Sequence, residues 1–408
     1  MLADFQTIED YNFDNKTAII RVDFNSPIDK ETKEITDDTR IKAHAPTIQE
    51  LLEKNAKVVI LAHQGRPGSA DYSTTEKHAQ ILSAVIHQTV AYINDIFGEK
   101  AQQAIKQLKP GEALLLENVR SWPGERAKMS AEEFAQSDLV KNLAPLVDVY
   151  VGDGFAVAHR ANASIVGFPE VVPSVAGRVM ERELNALIRA KNAEEKPCIY
   201  VMGGAKADDA AAISEYVLSN DKADYVLTSG VIGHLFLHAK GVDLGKPNVE
   251  FLTKKQFLQY VPKIQELYGK YNGKIVNPQD FATDVNGKRQ EITLDDLPTN
   301  YPIFDIGQET VKIFAELLRN AKIVVISGPM GVYEREEFIM GTRGVFETIA
   351  NSQAFSVAGG GNTIEAIEKL GLREKISYIS TGGGALMEFL TGKTLPGVEA
   401  LIKAAKRG

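Results

Sequence analysis

Residues 17–25 read Thr-Ala-Ile-Ile-Arg-Val-Asp-Phe-Asn, and residues 57–67 read Lys-Val-Val-Ile-Leu-Ala-His-Gln-Gly-Arg-Pro. Each is a short, mostly apolar run that ends abruptly in polar residues. Runs of this length fit strands buried on both faces of a parallel sheet, where the usual in–out alternation is lost. Between them, residues 41–55 carry apolar side chains at helical spacing. A strand, a helix and a second parallel strand make the unit from which α/β folds are built.

The same rhythm continues outward. Strands are expected at 17–23, 57–62, 90–94, 113–117 and 148–151, then at 197–202, 224–228, 274–277, 322–326, 354–358 and 377–380. Helical spacing recurs between them, as at 310–320. The alternation occurs twice over, so the fold class expected is α/β. Two Rossmann-like, doubly wound parallel-sheet domains are joined by a hinge and a connecting helix. Phe168-Pro-Glu-Val-Val-Pro173 punctuates the chain, and a charged helical pattern follows at 174–192. The boundary is therefore set at Pro173, with domains of 1–173 and 174–393. Open α/β sheets bind ligands outside the carboxyl ends of their strands, so those ends are where chemistry is sought.

Composition narrows the class. The chain has 408 residues, 44% of them apolar and 25% charged, which suits folded domains with proper cores and excludes disordered or collagen-like chains. A single cysteine, Cys198, allows no intrachain disulfide and fits a reducing compartment. Lys and Arg number 46 against 54 Asp and Glu, a net charge of −8 that argues against nucleic-acid binding. The first ten residues lack the pattern of a signal peptide, and no apolar run reaches the ~18 residues of a membrane span. A soluble cytoplasmic protein without nucleic-acid or membrane partners is expected.

In the first half, four strand ends lead into Arg21-Val-Asp23-Phe-Asn25, His63-Gln-Gly-Arg66, Glu117-Asn-Val-Arg120 and Asp153-Gly-Phe-Ala-Val-Ala-His159-Arg160. The loop after the first strand adds Arg40. Side by side, these ends would bring Arg21, Arg40, His63, Arg66, Arg120, His159 and Arg160 into one basic pocket on an acidic protein. Guanidinium groups bind carboxylate and phosphate in a two-pronged fashion. Any one of these arginines is more simply paired with a surface carboxylate, and Arg21 lies within the strand itself. Five or six at successive strand ends point to a small polyanion, with Asp23 and Asn25 placed for a hydroxyl.

In the second half the strand ends are glycine-rich: Gly203-Gly204-Ala205-Lys206, Gly328-Pro329-Met330-Gly331, Gly359-Gly360-Gly361-Asn362-Thr363 and Thr381-Gly382-Gly383-Gly384. Glycine there lets backbone approach a ligand, and the N–H groups at the following helix start can bind phosphate. Lys206 adds a mobile positive charge. No phosphate-loop signature and no dinucleotide fingerprint occur. Each turn alone reads as tight packing between strand and helix, whereas four on one sheet suggest a nucleotide. A polyanion pocket in one lobe and a nucleotide pocket in the other suggest phosphoryl transfer, with hinge closure to exclude water. The residues alone leave open a two-domain kinase for a different small acid and, in another class, a non-catalytic two-lobe binding protein or regulatory pseudokinase.

The motifs Arg21-Val-Asp-Phe-Asn-Ser-Pro27, His63-Gln-Gly-Arg-Pro67, Leu114-Leu-Leu-Glu-Asn-Val-Arg120, Gly154-Phe-Ala-Val-Ala-His-Arg160, Gly203-Gly-Ala-Lys206, Gly328-Pro-Met-Gly-Val-Tyr-Glu334, Gly359-Gly-Gly-Asn-Thr363 and Ser380-Thr-Gly-Gly-Gly384 occur in this order. Together with Gly392-Lys-Thr-Leu-Pro-Gly-Val398, they resemble the phosphoglycerate kinase family over nearly the whole chain. The resemblance implies a bilobal kinase of glycolysis and gluconeogenesis. It would move a phosphoryl group between ATP and the carboxylate of 3-phosphoglycerate, giving ADP and 1,3-bisphosphoglycerate, with Mg2+.

By motif match, Asp23, Asn25, Arg40, His63, Arg66, Arg120 and Arg160 would hold the glycerate. Gly203, Lys206, Glu334, Gly359, Gly360, Gly361, Asn362, Thr363, Gly382 and Gly383 would hold ATP or ADP, with Glu334 on the ribose. Arg40 and Lys206 would serve the transferring phosphoryl. The segment 394–408 would complete the first, glycerate-binding domain, and 174–393 would carry the connecting helix and the nucleotide. A monomer is expected, with a dimer left open. The chain departs from the family pattern at four places. Asn362 replaces a metal-serving aspartate, so the metal ligand is unknown and Asn362 is its candidate. Ala210 stands where many members have a second lysine, Ser327 stands for asparagine, and Gln308-Glu309 stand for Pro-Lys.

Overall fold

The computed structural model of the protein describes residues 5–407. They divide into two compact units. One runs up to Asn185 and regains the chain from Thr394 onward; the other is Ala186–Lys393.

The first unit is built on six strands: β1 (Thr17–Arg21), β2 (Lys57–Leu61), β3 (Val90–Ile93), β4 (Ala113–Leu116), β5 (Val149–Gly152) and β6 (Ser174–Ala176). All pair in parallel, in the order β3-β4-β2-β1-β5-β6. Ala18 lies opposite both Val58 and Val149. Every residue of β1 is buried. Because successive side chains point to opposite faces, such a strand needs cover on both sides. Ala18, Ile20, Val22, Val58 and Ile60 meet Ile41, Ala45, Ile48 and Leu52 of the helix Thr39–Glu53, whose spacing puts all four on one helical face. The chain leaves β1 on one side through β2 and returns on the other at β5. The crevice of this sheet therefore opens at the carboxyl ends of its central strands.

The C-terminal helix Pro396–Ala405 packs in this same unit. Gly397 N–H donates to the Ala158 carbonyl at 2.8 Å, and Arg407 pairs with Glu170 at 2.9 Å.

The structure differs from the expected boundary. Residues 174–176 are the edge strand β6, paired on β5 with Tyr150 opposite Ser174, and the helix runs Arg178–Asn192. Pro173 cannot continue a helix, and Val175 suits a strand. The division between units falls inside that helix, after Asn185, and not at Pro173. The helix start belongs to the first unit, where Arg178 Nε donates to Glu50 at 2.7 Å.

The second unit holds β7 (Cys198–Met202), β8 (Tyr225–Thr228), β9 (Ile275–Val276), β10 (Asp280–Val285), β11 (Lys288–Thr293), β12 (Ile303–Ile306), β13 (Ile323–Ser327), β14 (Phe355–Gly359) and β15 (Tyr378–Ile379). Six of them form a parallel sheet in the order β15-β14-β13-β7-β8-β9, and β11-β10-β12 form a separate antiparallel sheet. The antiparallel sheet is absent from the sequence reading. Its hairpin is closed by Asn286-Gly287 with φ of 52° and 84°, both left-handed, as a two-residue turn between twisted strands requires. Among the described residues no helix is long and apolar enough to cross a membrane.

Candidate active site

In the first unit, β4, β2, β1 and β5 are consecutive neighbours, so their carboxyl ends bring the expected basic residues together. Arg21 is only 1% exposed. Its Nε donates to Ser164 Oγ at 2.7 Å, and a terminal nitrogen lies 3.1 Å from His63 Nδ1. Arg40 is in the first turn of the helix Thr39–Glu53, not in a loop, and forms an ion pair with buried Asp23. Asn25 accepts from Gly65 N–H at 2.7 Å, which fixes the turn carrying exposed Arg66. Arg120 donates to the Gly65 carbonyl at 2.7 Å. Its Nε is buried and has no hydrogen-bond partner. The Arg160 Nε lies 3.1 Å from His159 Nε2.

These cations crowd one another. Burial, and after it Arg21, Arg120, Arg160 and Arg40, hold the His63 imidazole well below its ordinary range. Arg120 is pushed down to about 10, first by burial and then by Arg160 and Arg21. Arg160 is lowered by burial and by Arg66, Arg21 and Arg126, with Asp23 opposing. Among the described residues, Arg40 alone of Arg21, Arg40, Arg66, Arg120 and Arg160 has a carboxylate within 4.0 Å. A cluster so short of anions can accept a multiply charged one.

The sequence reading missed several residues that support this site. Gln64, fully buried, accepts from Ser26 N–H at 3.0 Å and donates to the Ser26 and Asp71 carbonyls. Glu125, also fully buried, accepts from the Ser164 N–H and hydroxyl at 2.9 and 2.6 Å, and so seats the serine that Arg21 uses. His44 and Asp153 meet behind Asp23 at 2.6 Å. His44 lies four residues after Arg40 on one helix face, a spacing that could have flagged it.

In the second unit, β15, β14, β13 and β7 are likewise consecutive, so the four glycine turns share one end of the sheet. A cavity of about 340 Å³ lies there, lined by Gly204, Gly230, Met330, Gly331, Glu334 and Asn362 from the strand ends. The antiparallel sheet and its surroundings contribute Phe281, Ile303, Phe304, Phe251 and His234. The His234 ring stands edge-on to Phe281, with centroids 6.4 Å apart, and burial lowers its pKa to about 4. An apolar wall facing a rim of backbone and few polar groups is the usual form of a small-molecule site.

Several expected cofactor residues are not in that wall. A Cβ on Gly203 would sit 2.3 Å from the Pro329 carbonyl oxygen, and one on Gly359 would sit 1.9 Å from Leu386. These glycines are there so that neighbouring segments can touch. Thr363 is buried, and its hydroxyl accepts from Gly328 N–H at 2.8 Å. Lys206, Gly360, Gly361, Gly382 and Gly383 also lie outside the cavity lining. Lys206 is exposed just before the helix Ala207–Ser219. Gly360 has φ of 95° and leads into the helix Gly361–Lys369. Gly361 stands apart: a Cβ there would meet nothing within 4 Å. Neither packing nor backbone conformation demands that glycine.

The family model described as "Phosphoglycerate kinase" matches residues 8–393. The chain belongs to the phosphoglycerate kinase family. It is 44% identical over 403 residues to a phosphoglycerate kinase of Methanothermus fervidus, covering 99% of this chain and 98% of the relative. It is 47% identical over 398 residues to one from Thermococcus kodakarensis, covering 97% and 96%. Among solved structures, the phosphoglycerate kinase of Pyrococcus horikoshii superposes with a TM-score of 0.88 at 46% identity, covering 98% of this chain and 99% of that one. The Coxiella burnetii enzyme gives 0.85 at 34% identity, covering 98% and 100%. The activity is that of the family, a glycolytic phosphotransfer between ATP and the carboxylate of 3-phosphoglycerate.

The departures from the family pattern also have places. Ala210 is fully buried in the helix Ala207–Ser219, where it packs. Ser327 is buried, 3.7 Å from Met387 Sδ. Gln308-Glu309 open the helix Gln308–Arg319, and Glu309 N–H donates to Asp280 at 2.9 Å.

Proposed function

We propose that the first unit binds 3-phosphoglycerate through Asp23, Asn25, Arg40, His63, Arg66, Arg120 and Arg160, and that the second unit binds ATP or ADP. The observation that carries the first assignment is the buried, unpartnered Arg120 Nε inside a cluster of mutually repelling guanidinium groups. Burying a charged donor without a partner is costly, and an arriving phosphate removes that cost. For the nucleotide, the apolar wall suits a base, Glu334 suits a ribose hydroxyl, and the Gly360-Gly361 turn before a helix suits phosphates.

An acyl phosphate has a good carboxylate leaving group, so no strong base is called for. Positioning and offsetting of charge carry the reaction. Arg40 and Lys206 are the cations assigned to the transferring phosphoryl. Among the described residues no group of three or more His, Cys, Asp or Glu could hold a metal. Mg2+ commonly keeps its waters and takes one or two protein ligands beside substrate phosphates. The residues thus fit a Mg2+ that arrives on the nucleotide, with the Asn362 amide oxygen as one ligand. When bound, that ion offsets phosphate charge.

One chain carries both residue sets, so a monomer suffices. The lone Cys198, which leaves no intrachain disulfide to form, suits a reducing cytoplasm. Calorimetric titration with 3-phosphoglycerate tests the first assignment. Arg120→Ala should weaken binding strongly and leave ADP binding unchanged. Unchanged glycerate binding would remove Arg120 from the site.

A further inference from the structure

Behind the arginines lies a buried chain of hydrogen bonds that the reaction chemistry does not itself require. Asp153, at the end of β5, is fully buried. One of its oxygens, Oδ1, accepts from Val179 N–H at 2.9 Å and from the Thr47 hydroxyl at 3.2 Å. The other, Oδ2, lies 2.6 Å from His44 Nδ1. His44 is 4% exposed, and its Nε2 lies 3.1 Å from the main-chain nitrogen of Asp23. The carboxylate of Asp23 holds Arg40.

The protonation of His44 follows from its partners. A main-chain N–H can only donate, so Nε2 must be bare and the ring proton must sit on Nδ1, facing Asp153. Arg40 and His44 are one helical turn apart, so the same helix grips Asp23 twice, at its carboxylate and at its backbone. Val179 belongs to the first turn of the helix Arg178–Asn192, which continues into the second unit. Gly177 lets that helix start come close, since a Cβ there would lie 2.2 Å from Asp153 Oδ1.

We propose that His44 and Asp153 are positioning residues for Arg40: Asp153 fixes the His44 tautomer, the bare Nε2 fixes the main chain of Asp23, and Asp23 thereby aims the guanidinium. This rests on the assignment of Arg40 to the transferring phosphoryl.

The decisive variant is Asp153→Asn. Its amide must turn NH2 toward either Val179 N–H or His44. The main-chain N–H cannot become an acceptor, whereas imidazole can by moving its proton. The NH2 therefore faces His44, the proton shifts to Nε2, and two donors confront each other at Asp23. His44→Ala removes the link without that clash.

Kinetics in both directions and 15N NMR of the histidine rings of the full chain test this. The parent should show His44 protonated on Nδ1, and Asp153→Asn should show it on Nε2. Each variant should lower kcat by roughly ten- to a hundredfold, as small misplacements of catalytic groups do. KM for the nucleotide should stay within about threefold, and KM for 3-phosphoglycerate should change by less than kcat does, because Arg66, Arg120 and Arg160 are untouched while Asp23 and Arg40 shift. The double variant should be no slower than the slower single, since both break one chain. Thr47→Val, which removes one donor without changing the tautomer, should keep kcat within about threefold.

An Nε2-protonated His44 in the parent overturns the proposal, whatever the variants do. So do losses that multiply in the double variant, or an unchanged kcat in folded Asp153→Asn while Arg40→Ala is crippled. If Arg40→Ala itself spares kcat, the assignment of Arg40 falls, and the functional half of this proposal falls with it.

Discussion

The two units use the same sheet architecture to present opposite chemistry. The first offers side chains: guanidinium and imidazole groups at the ends of β4, β2, β1 and β5, too many for the carboxylates nearby. The second offers backbone at the ends of β7, β8 and β13, set against an apolar wall from a small antiparallel sheet. A site made of charges should fail one residue at a time, by large factors. A site made of backbone and apolar surface should lose little to most single substitutions. That contrast can be broken by experiment.

The largest effect expected is at Arg40. If its charge matters mainly as the phosphoryl group moves, Arg40→Ala should lower kcat and kcat/KM together by roughly 10³-fold, as other phosphoryl-clamping arginines do. Arg40→Lys should recover only part, because a point charge lacks the planar fork. Steady-state rates decide it: an altered KM with kcat within a few-fold would make Arg40 an ordinary binding residue. Next comes Arg120→Ala, which should raise KM for 3-phosphoglycerate roughly ten- to a hundredfold, the worth of charged hydrogen bonds. Its kcat should move less. A fall in kcat alone would shift Arg120 to the transition state.

Acid should find both units. Burial lowers His78 in the first unit and His234 in the second to about 4, against an ordinary value of 6.5. On acidification the unfolded chain takes up these protons near pH 6.5, and the folded chain does not until near pH 4. The folded state therefore loses stability as pH falls below that upper value, by about 1.4 kcal/mol per pH unit for each such histidine. Urea unfolding between pH 7 and 5 should show a shallower pH slope for His234→Phe than for the parent, by about one proton. Equal slopes would mean that His234 titrates normally.

The same contrast explains what could be read in advance. Strands β1, β2, β4 and β5 are mostly apolar runs, and the arginines at their ends are conspicuous on an acidic chain, so sheet and site could both be inferred. Ser174–Ala176 was hidden because a three-residue edge strand abuts a helix of strong pattern. The hairpin Asp280–Thr293 was hidden because β11, Lys-Arg-Gln-Glu-Ile-Thr, is mostly exposed and carries no apolar run. Its Asn286-Gly287 turn was the one available signal. The glycine turns were legible as turns but not by cause: Gly203 and Gly359 are needed by packing neighbours, while Gly361 is not. Sequence shows that a glycine is present, and only coordinates show what a Cβ would strike. His44 and Asp153 are distant in the chain, and nothing local marks their contact.

The smallest effect expected is at Asn362, and it tests the backbone site most finely. Asn362 is the second residue of the helix Gly361–Lys369 and lines the cavity. A carboxylate there acts in three ways. It complements the helix N-terminus, which should raise the stability of the ligand-free protein by about 0.3–1 kcal/mol. It repels nucleotide phosphates, which should weaken binding of ADP without metal. It binds Mg2+ better than an amide does, which should tighten MgADP by roughly three- to tenfold. Asn362→Asp should therefore reverse its sign with metal: weaker than the parent for ADP in chelator, tighter for ADP in excess Mg2+. Titrating both nucleotide forms into both proteins is enough. If the ratio of the two affinities is the same in parent and variant, residue 362 does not meet the metal. The ligand-free gain in stability, which needs only the helix, should survive that outcome and would show that the substituted side chain had been placed as intended.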